Sequence, residues 1–212
     1  GMRKDLQLIE VLNARILHYP AGAIGAADNS LSLIDTSTKD ISRRAKSLAI
    51  EESGNLVKRL NMFRATYSSS DLGEQTSVIY LKKLLKDFLS ISKKIKLDLV
   101  FEGGMIYLDT LIAKIALCLV MIAIEKMHSN GKISFFCGND NGNVFIKIIS
   151  DATKHLVTSD DSLKILTDGR NPQVDIQNSR ECYINNLCES VGYRVVATNT
   201  KDKTLEYNLL KF

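Results

Sequence analysis

The sequence predicts an α+β protein: an N-terminal antiparallel helical hairpin, pairing with a second copy into a dimeric four-helix bundle, followed by an α/β sandwich. Three observations carry this. Apolar residues recur at three- and four-residue steps along two long segments. A small-residue stretch, Ser68-Ser69-Ser70, then breaks the pattern. Beyond it short alternating strands interleave with helices. The chain therefore divides into a hairpin, 1–69, and a sandwich domain, 70–212.

The first helix is predicted from Arg3 to Ile34, ~45 Å at 1.5 Å per residue. Its buried stripe reads Ile9, Leu12, Ile16, Ala23, Ala27, Leu31 and Ile34. His18 follows Ile16 by two residues, about 200° around the helix, and so points away from that stripe. An imidazole on the wet face of a rigid helix can reach a docking partner's reactive group, the geometry a phosphoacceptor histidine needs. Pro20 deletes one helical hydrogen bond and should kink the helix, and Gly22 and Gly25 loosen the same turn. Those glycines serve either close helix packing or the approach of another protein's surface.

Asp35 to Lys39 is a polar turn, and the second helix runs from Ile41 to Tyr67 on a stripe of Ile41, Ala45, Leu48, Ala49, Leu56, Leu60, Phe63 and Tyr67. Two such helices joined by a short turn form an antiparallel hairpin, and a lone hairpin leaves apolar surface for a homodimer to cover. A turn centred near Ser37 places Leu56 about level with His18 and brings Asn55, Lys58 and Arg59 into its neighbourhood.

In the second part, Asp71 and Glu74 read as a capping box opening a helix to Ser92 on Val78, Leu81, Leu85 and Phe88. A strand over Lys96–Phe101 precedes a strongly apolar helix over Leu108–Met127. Strands over Lys132–Cys137 and Val144–Ser150 join across Asn139-Asp140-Asn141-Gly142, residues suited to a tight turn. A short helix over Ser162–Leu166 and a longer one over Asn178–Val191, ended by Gly192, lead to strands over Tyr193–Thr198 and Thr204–Leu210. The helices cover one face of a mixed sheet.

Composition narrows the function classes. Of 212 residues, 45% are hydrophobic and 25% charged, as in an ordinary globular protein. The longest apolar run, Ile115 to Ile124, is too short to cross a membrane. The N-terminus has no basic-then-apolar signal pattern, and Gly1 before Met2 looks like an expression scar, so a cytoplasmic location is expected. A net charge of +4 with no aromatics among the lysines suits an acidic protein partner rather than nucleic acid. Cys118, Cys137, Cys182 and Cys188 lack metal-type spacing and read as buried thiols. His128 and His155 stand isolated in polar surroundings.

The residues around His18 carry a resemblance. Arg15, Ile16, His18, Gly25, Ala26 and Asn29, with Leu31 and Leu33 after them, fall without a gap on the pattern of the ChpT-type histidine phosphotransferases. Arg59-Leu60 and Phe63-Arg64-Ala65 match the end of that family's second helix, and Pro172 and the helix over Asn178–Gly192 sit where it places its last helix. Two positions depart: Tyr19 stands where the family has an acidic residue after the histidine, and Ala23 where it has a proline. The resemblance implies that the sandwich is a degenerate histidine-kinase ATPase-like domain. The apolar helix Ala116 to Ile124 has none of the asparagines a working domain uses for Mg²⁺ and phosphates, and no glycine-rich phosphate loop follows Asp151, a candidate mimic of the adenine-reading aspartate.

It further implies a phosphorelay without ATP use. His18 would carry a phosphoryl group between receiver-domain aspartates, from a hybrid histidine kinase to response regulators. Arg15, Tyr19, Gly22, Gly25, Asn29 and Arg59 would line the receiver's docking site. No cofactor is expected on this chain, with Mg²⁺ held by the receiver. Tyr19 and the displaced proline motivate the alternative, a dimeric adaptor that binds receivers without phosphotransfer.

Overall fold

A computed structural model describes residues 1–34, 38–68, 73–154 and 161–212. Helix α1 (Met2–Ser32) runs unbroken through Pro20, and α2 (Lys39–Tyr67) returns antiparallel to it. The face of α1 that is covered carries Leu8, Leu12 and the half-buried Ile16, Ala23, Ala27 and Ile34. Ala45, Ala49, Met62, Phe63 and Ala65 form the buried face of α2. Five residues of the predicted stripes, Ile9, Leu31, Ile41, Leu48 and Leu60, are exposed instead. On α2 the small Ala45 and Ala49 are buried while the larger Ile41 and Leu48 stay exposed.

The third predicted helix begins later than its expected cap. Asp71 lies outside the described residues; Gln75–Ser77 form a short strand, β1, and helix α3 (Val78–Leu89) starts from Ser77, whose hydroxyl accepts from the Tyr80 amide. Strand β1 pairs antiparallel with β3 (Tyr107–Asp109), another three-residue strand that the apolar pattern assigned to the following helix. That helix, α4 (Thr110–Lys126), is capped by Asp109, whose carboxylate accepts from the amides of Leu111 and Ile112 at 2.8 and 3.1 Å.

The main sheet has the order β2-β4-β5-β7-β6. Strand β2 (Ile95–Phe101) lies parallel to β4 (Gly131–Asp140), and β5 (Asn143–Ala152), β7 (Thr204–Lys211) and β6 (Tyr193–Lys201) continue antiparallel. The β4–β5 turn holds Asn141 and Gly142 at φ 51° and 82°, the two positive angles a tight hairpin needs. Helices α3, α4 and α6 (Ser179–Val191) cover one face of this sheet, and α5 (Ser162–Asp168) packs against α6 and β6. Helix α4 is apolar over most of its surface and is buried throughout except at Leu111 and Glu125. Met62, Phe63 and Ala65 of α2 enter the same core as the sheet residues Ile133, Phe135, Ile146 and Ile148.

Gly131 opens β4 in a geometry that demands glycine. Its φ is +147°, and a Cβ there would sit 2.1 Å from the Asp151 carbonyl oxygen on the paired strand. Gly131→Ala must push β4 and β5 apart, and a loss of ~3 kcal/mol or more is expected in urea unfolding. An unchanged midpoint would contradict this local geometry.

Candidate functional site

His18 is exposed midway along α1. Arg15, His18, Gly22, Gly25 and Asn29 follow one another at steps of three and four residues and so share one face of the helix. A Cβ at Gly22 or Gly25 would meet no atom within 4 Å. Within the chain these glycines therefore serve no close helix contact; they leave an open strip beside the imidazole. Asn29 is exposed, and its carbonyl accepts from the Ser32 hydroxyl at 2.8 Å.

Tyr19 lies round the helix from His18 and turns towards α2. Its ring stands 6.1 Å from the imidazole, at 70°, and 5.9 Å from Phe63, while the Arg59 guanidinium lies 5.5 Å from its centroid. The tyrosine is thus held between an apolar ring and a cation, a contact worth about 0.5–1 kcal/mol where partly exposed. Arg59 and Phe63, not Leu56, stand opposite this turn of α1, so the hairpin register differs by about one turn from that expected from the loop. Lys58 points elsewhere, its ammonium donating to Ser90 of α3 at 2.9 Å.

Arg15 faces the second half of the molecule. Its guanidinium lies 3.7 Å from the Glu125 carboxylate of α4, which also accepts from Arg180 of α6 at 2.5 Å. Arg180 is only 8% exposed, whereas the Glu125 side chain is half exposed. This bridge ties the histidine-bearing helix to the sandwich. The sequence reading missed Glu125 and Arg180, because an ion pair between residues so distant in the chain leaves no local signal. The end of α2 is clamped as well. Lys114 donates to the carbonyls of Ala65 and Ser68, and the Tyr183 hydroxyl to that of Thr66, closing carbonyls the helix end leaves open. Burial lowers the Lys114 pKa.

Removing the shared carboxylate leaves the buried Arg180 without its counter-charge. Glu125→Ala should lose ~1–3 kcal/mol, less than for a fully buried pair because Glu125 is half solvated. Thermal unfolding checks this; a melting temperature equal to wild type would mean that the bridge contributes nothing.

Behind Tyr19 the ring contacts continue inward through Phe63 and Tyr67 to Tyr183. Burial pushes the Tyr67 phenol up, and the neighbouring Cys118 adds to this. Burial likewise pushes the Cys118 thiol to about 12. All four cysteines are free and buried. Asp151, considered for adenine reading, lies within β5 rather than after it, and one oxygen of its exposed carboxylate accepts from the Thr204 hydroxyl at 2.7 Å. His128 is exposed in a turn, and His155 lies outside the described residues. Among the described residues no group of three His, Cys, Asp or Glu converges on a metal-sized site, and no helix is long and apolar enough to cross a membrane.

The fold is similar to that of a bacterial phosphotransferase solved at 1.7 Å: the TM-score is 0.81 at 19% identity, covering 97% of this chain and 96% of that one. Weaker likenesses include the catalytic domain of histidine kinase ThkA, with a TM-score of 0.49 and 15% identity over 64% of this chain and 92% of that one. Acinetobacter baumannii histidine kinase AdeS gives 0.45 and 15% over 88% and 93%. No protein-family model and no curated protein sequence matches the chain.

Proposed function

We propose that the protein is a dimeric histidine phosphotransferase that relays a phosphoryl group between receiver-domain aspartates through His18. The observation that carries this is the placement of His18: exposed, midway along a rigid helix, beside a strip that Gly22 and Gly25 keep free of side chains. The likeness in fold to a bacterial phosphotransferase supports it.

In the first step an imidazole nitrogen attacks the phosphorus of the donor's aspartyl phosphate. The phosphorus–oxygen bond to that aspartate breaks, its carboxylate leaves, and the proton on the other ring nitrogen passes to water. In the second step an acceptor carboxylate attacks the phosphohistidine, the phosphorus–nitrogen bond breaks, and the imidazole recovers its proton. The acyl phosphate is already activated, so catalysis rests on in-line positioning and on charge neutralisation by Mg²⁺ in the receiver. No ATP and no cofactor of this chain's own enters the scheme. Arg15, Tyr19 and Arg59 border the docking strip, and the Arg59 guanidinium lies 5.5 Å from the Tyr19 ring centroid.

The dimer is inferred from what the hairpin leaves uncovered. Leu17, Ile24 and Leu31 of α1, and Ile41 and Leu48 of α2, are exposed at seven-residue steps. Such rows are the seams of a four-helix bundle.

The test is incubation of the full chain with a radiolabelled phospho-receiver. Acid-labile, base-stable label on this protein is expected, and its absence with several receivers would overturn the relay. One observation favours a second reading. Tyr19, where the resembling family has an acid, is engaged by Arg59 and Phe63 and offers the imidazole no carboxylate. Receiver binding without any phosphohistidine would establish the adaptor instead.

A further inference from the structure

A cavity of about 210 Å³ lies directly behind Tyr19, where the hairpin meets the sandwich. Its floor and walls include Ile16, Phe63 and Tyr67 from the hairpin and Phe88, Met121 and Ile124 from α3 and α4. Three guanidiniums, Arg15, Arg59 and Arg180, open onto it against a single carboxylate, Glu125. The cleft is therefore apolar in its body and positive at its edge.

The arginines are incompletely satisfied. Glu125 takes one arm of Arg15 and one of Arg180, yet the Nε atoms of both are buried with no hydrogen-bond partner. A buried donor left unpaired is costly, and native proteins pair the great majority of them. Both guanidiniums line one cavity, and with Arg59 they set three cations against the single carboxylate of Glu125, an imbalance that an acceptor supplied from outside the chain would offset. A carboxylate or phosphate would provide it, since either presents several oxygens to guanidinium donors at once. The aromatic and aliphatic walls would desolvate a ring or short acyl chain attached to that anion.

We infer that this cavity binds a small organic anion, with a single-ring or short-acyl body against Phe63, Tyr67 and Met121 and its carboxylate or phosphate facing Arg15, Arg59 and Arg180. The walls come from both halves of the molecule, so the ligand bridges the histidine-bearing helix and the sandwich. Binding at this site does not depend on the relay and is tested without it.

The experiment titrates the full chain, isotopically labelled, with benzoate, phenyl phosphate and benzyl alcohol, following amide shifts by NMR. Saturable shifts at Arg15, Tyr67 and Arg180 are expected with a Kd of ~1 mM or tighter for one of the two anions. The neutral alcohol should bind ~10-fold or more weakly, and the tighter anion identifies the head group. Arg59→Met, at the cavity's half-exposed edge, should weaken the anion by ~10-fold without unfolding the protein. The absence of saturation up to about 20 mM would overturn the inference. Equal affinity for benzyl alcohol, shifts confined to another surface, or an unchanged Kd in Arg59→Met would do the same.

Discussion

His18→Gln is expected to fold as the wild type does and to take up no label from a phospho-receiver. The imidazole is exposed, its one recorded ring contact is the 6.1 Å approach of Tyr19, and no described hydrogen bond depends on it. Exposed substitutions of this kind shift stability by about 0.5 kcal/mol or less. Glutamine keeps length and polarity but its amide nitrogen is not a nucleophile, so the covalent intermediate cannot form. The drop is then in chemistry alone, ~10³-fold or more in label uptake, with circular dichroism and receiver affinity unchanged. Label at the wild-type rate in His18→Gln would move the chemistry to another residue. Lost label together with lost receiver binding would mean that the side chain serves docking, whereas the adaptor requires a wild type that binds receivers and never takes up label.

The parts of the fold legible in the sequence are those whose signal is local. The long periodic segments of α1 and α2, the largely apolar α4 and the Asn141-Gly142 turn each declare themselves within a short window. Strands β1 and β3 do not, because three residues are too few to show alternation, and each abuts a helix whose pattern absorbs it. The inner and outer faces of the hairpin were confused for a different reason. Ala45 and Ala49 are buried, while Leu48 and Ile41, on the neighbouring row, are larger and more hydrophobic yet exposed. Hydrophobicity marks both rows; only packing tells which one lies within a single chain. At the site, the outward direction of His18 followed from its angle to Ile16. The partners that anchor its helix did not follow, since Glu125 and Arg180 meet Arg15 only through tertiary structure.

That second apolar row carries the other large expected effect. Ile24→Lys combined with Leu48→Lys should convert a dimer into a monomer. Both side chains are more than half exposed on the isolated chain, so lysine there costs the monomer little. In a two-fold bundle each substitution appears twice, removing four apolar side chains from the seam and placing four like charges in it. Fully burying a large aliphatic side chain contributes ~1.5–3 kcal/mol, and these are about half exposed in the monomer, so the loss over four is ~3–6 kcal/mol before charge repulsion, equivalent to ~10²–10⁴-fold in the dissociation constant. Light scattering after size exclusion at about 50 µM should give the mass of two chains for wild type and of one for the double variant. A wild-type protein with the mass of one chain would overturn the dimer, and a variant still at two chains would place its interface elsewhere. Because His18 lies on a face of α1 distinct from the Leu17-Ile24-Leu31 row, pairing through that row leaves both imidazoles accessible. The monomeric variant should therefore keep an exposed His18, and a fall in its labelling rate would measure what the second protomer adds to receiver docking.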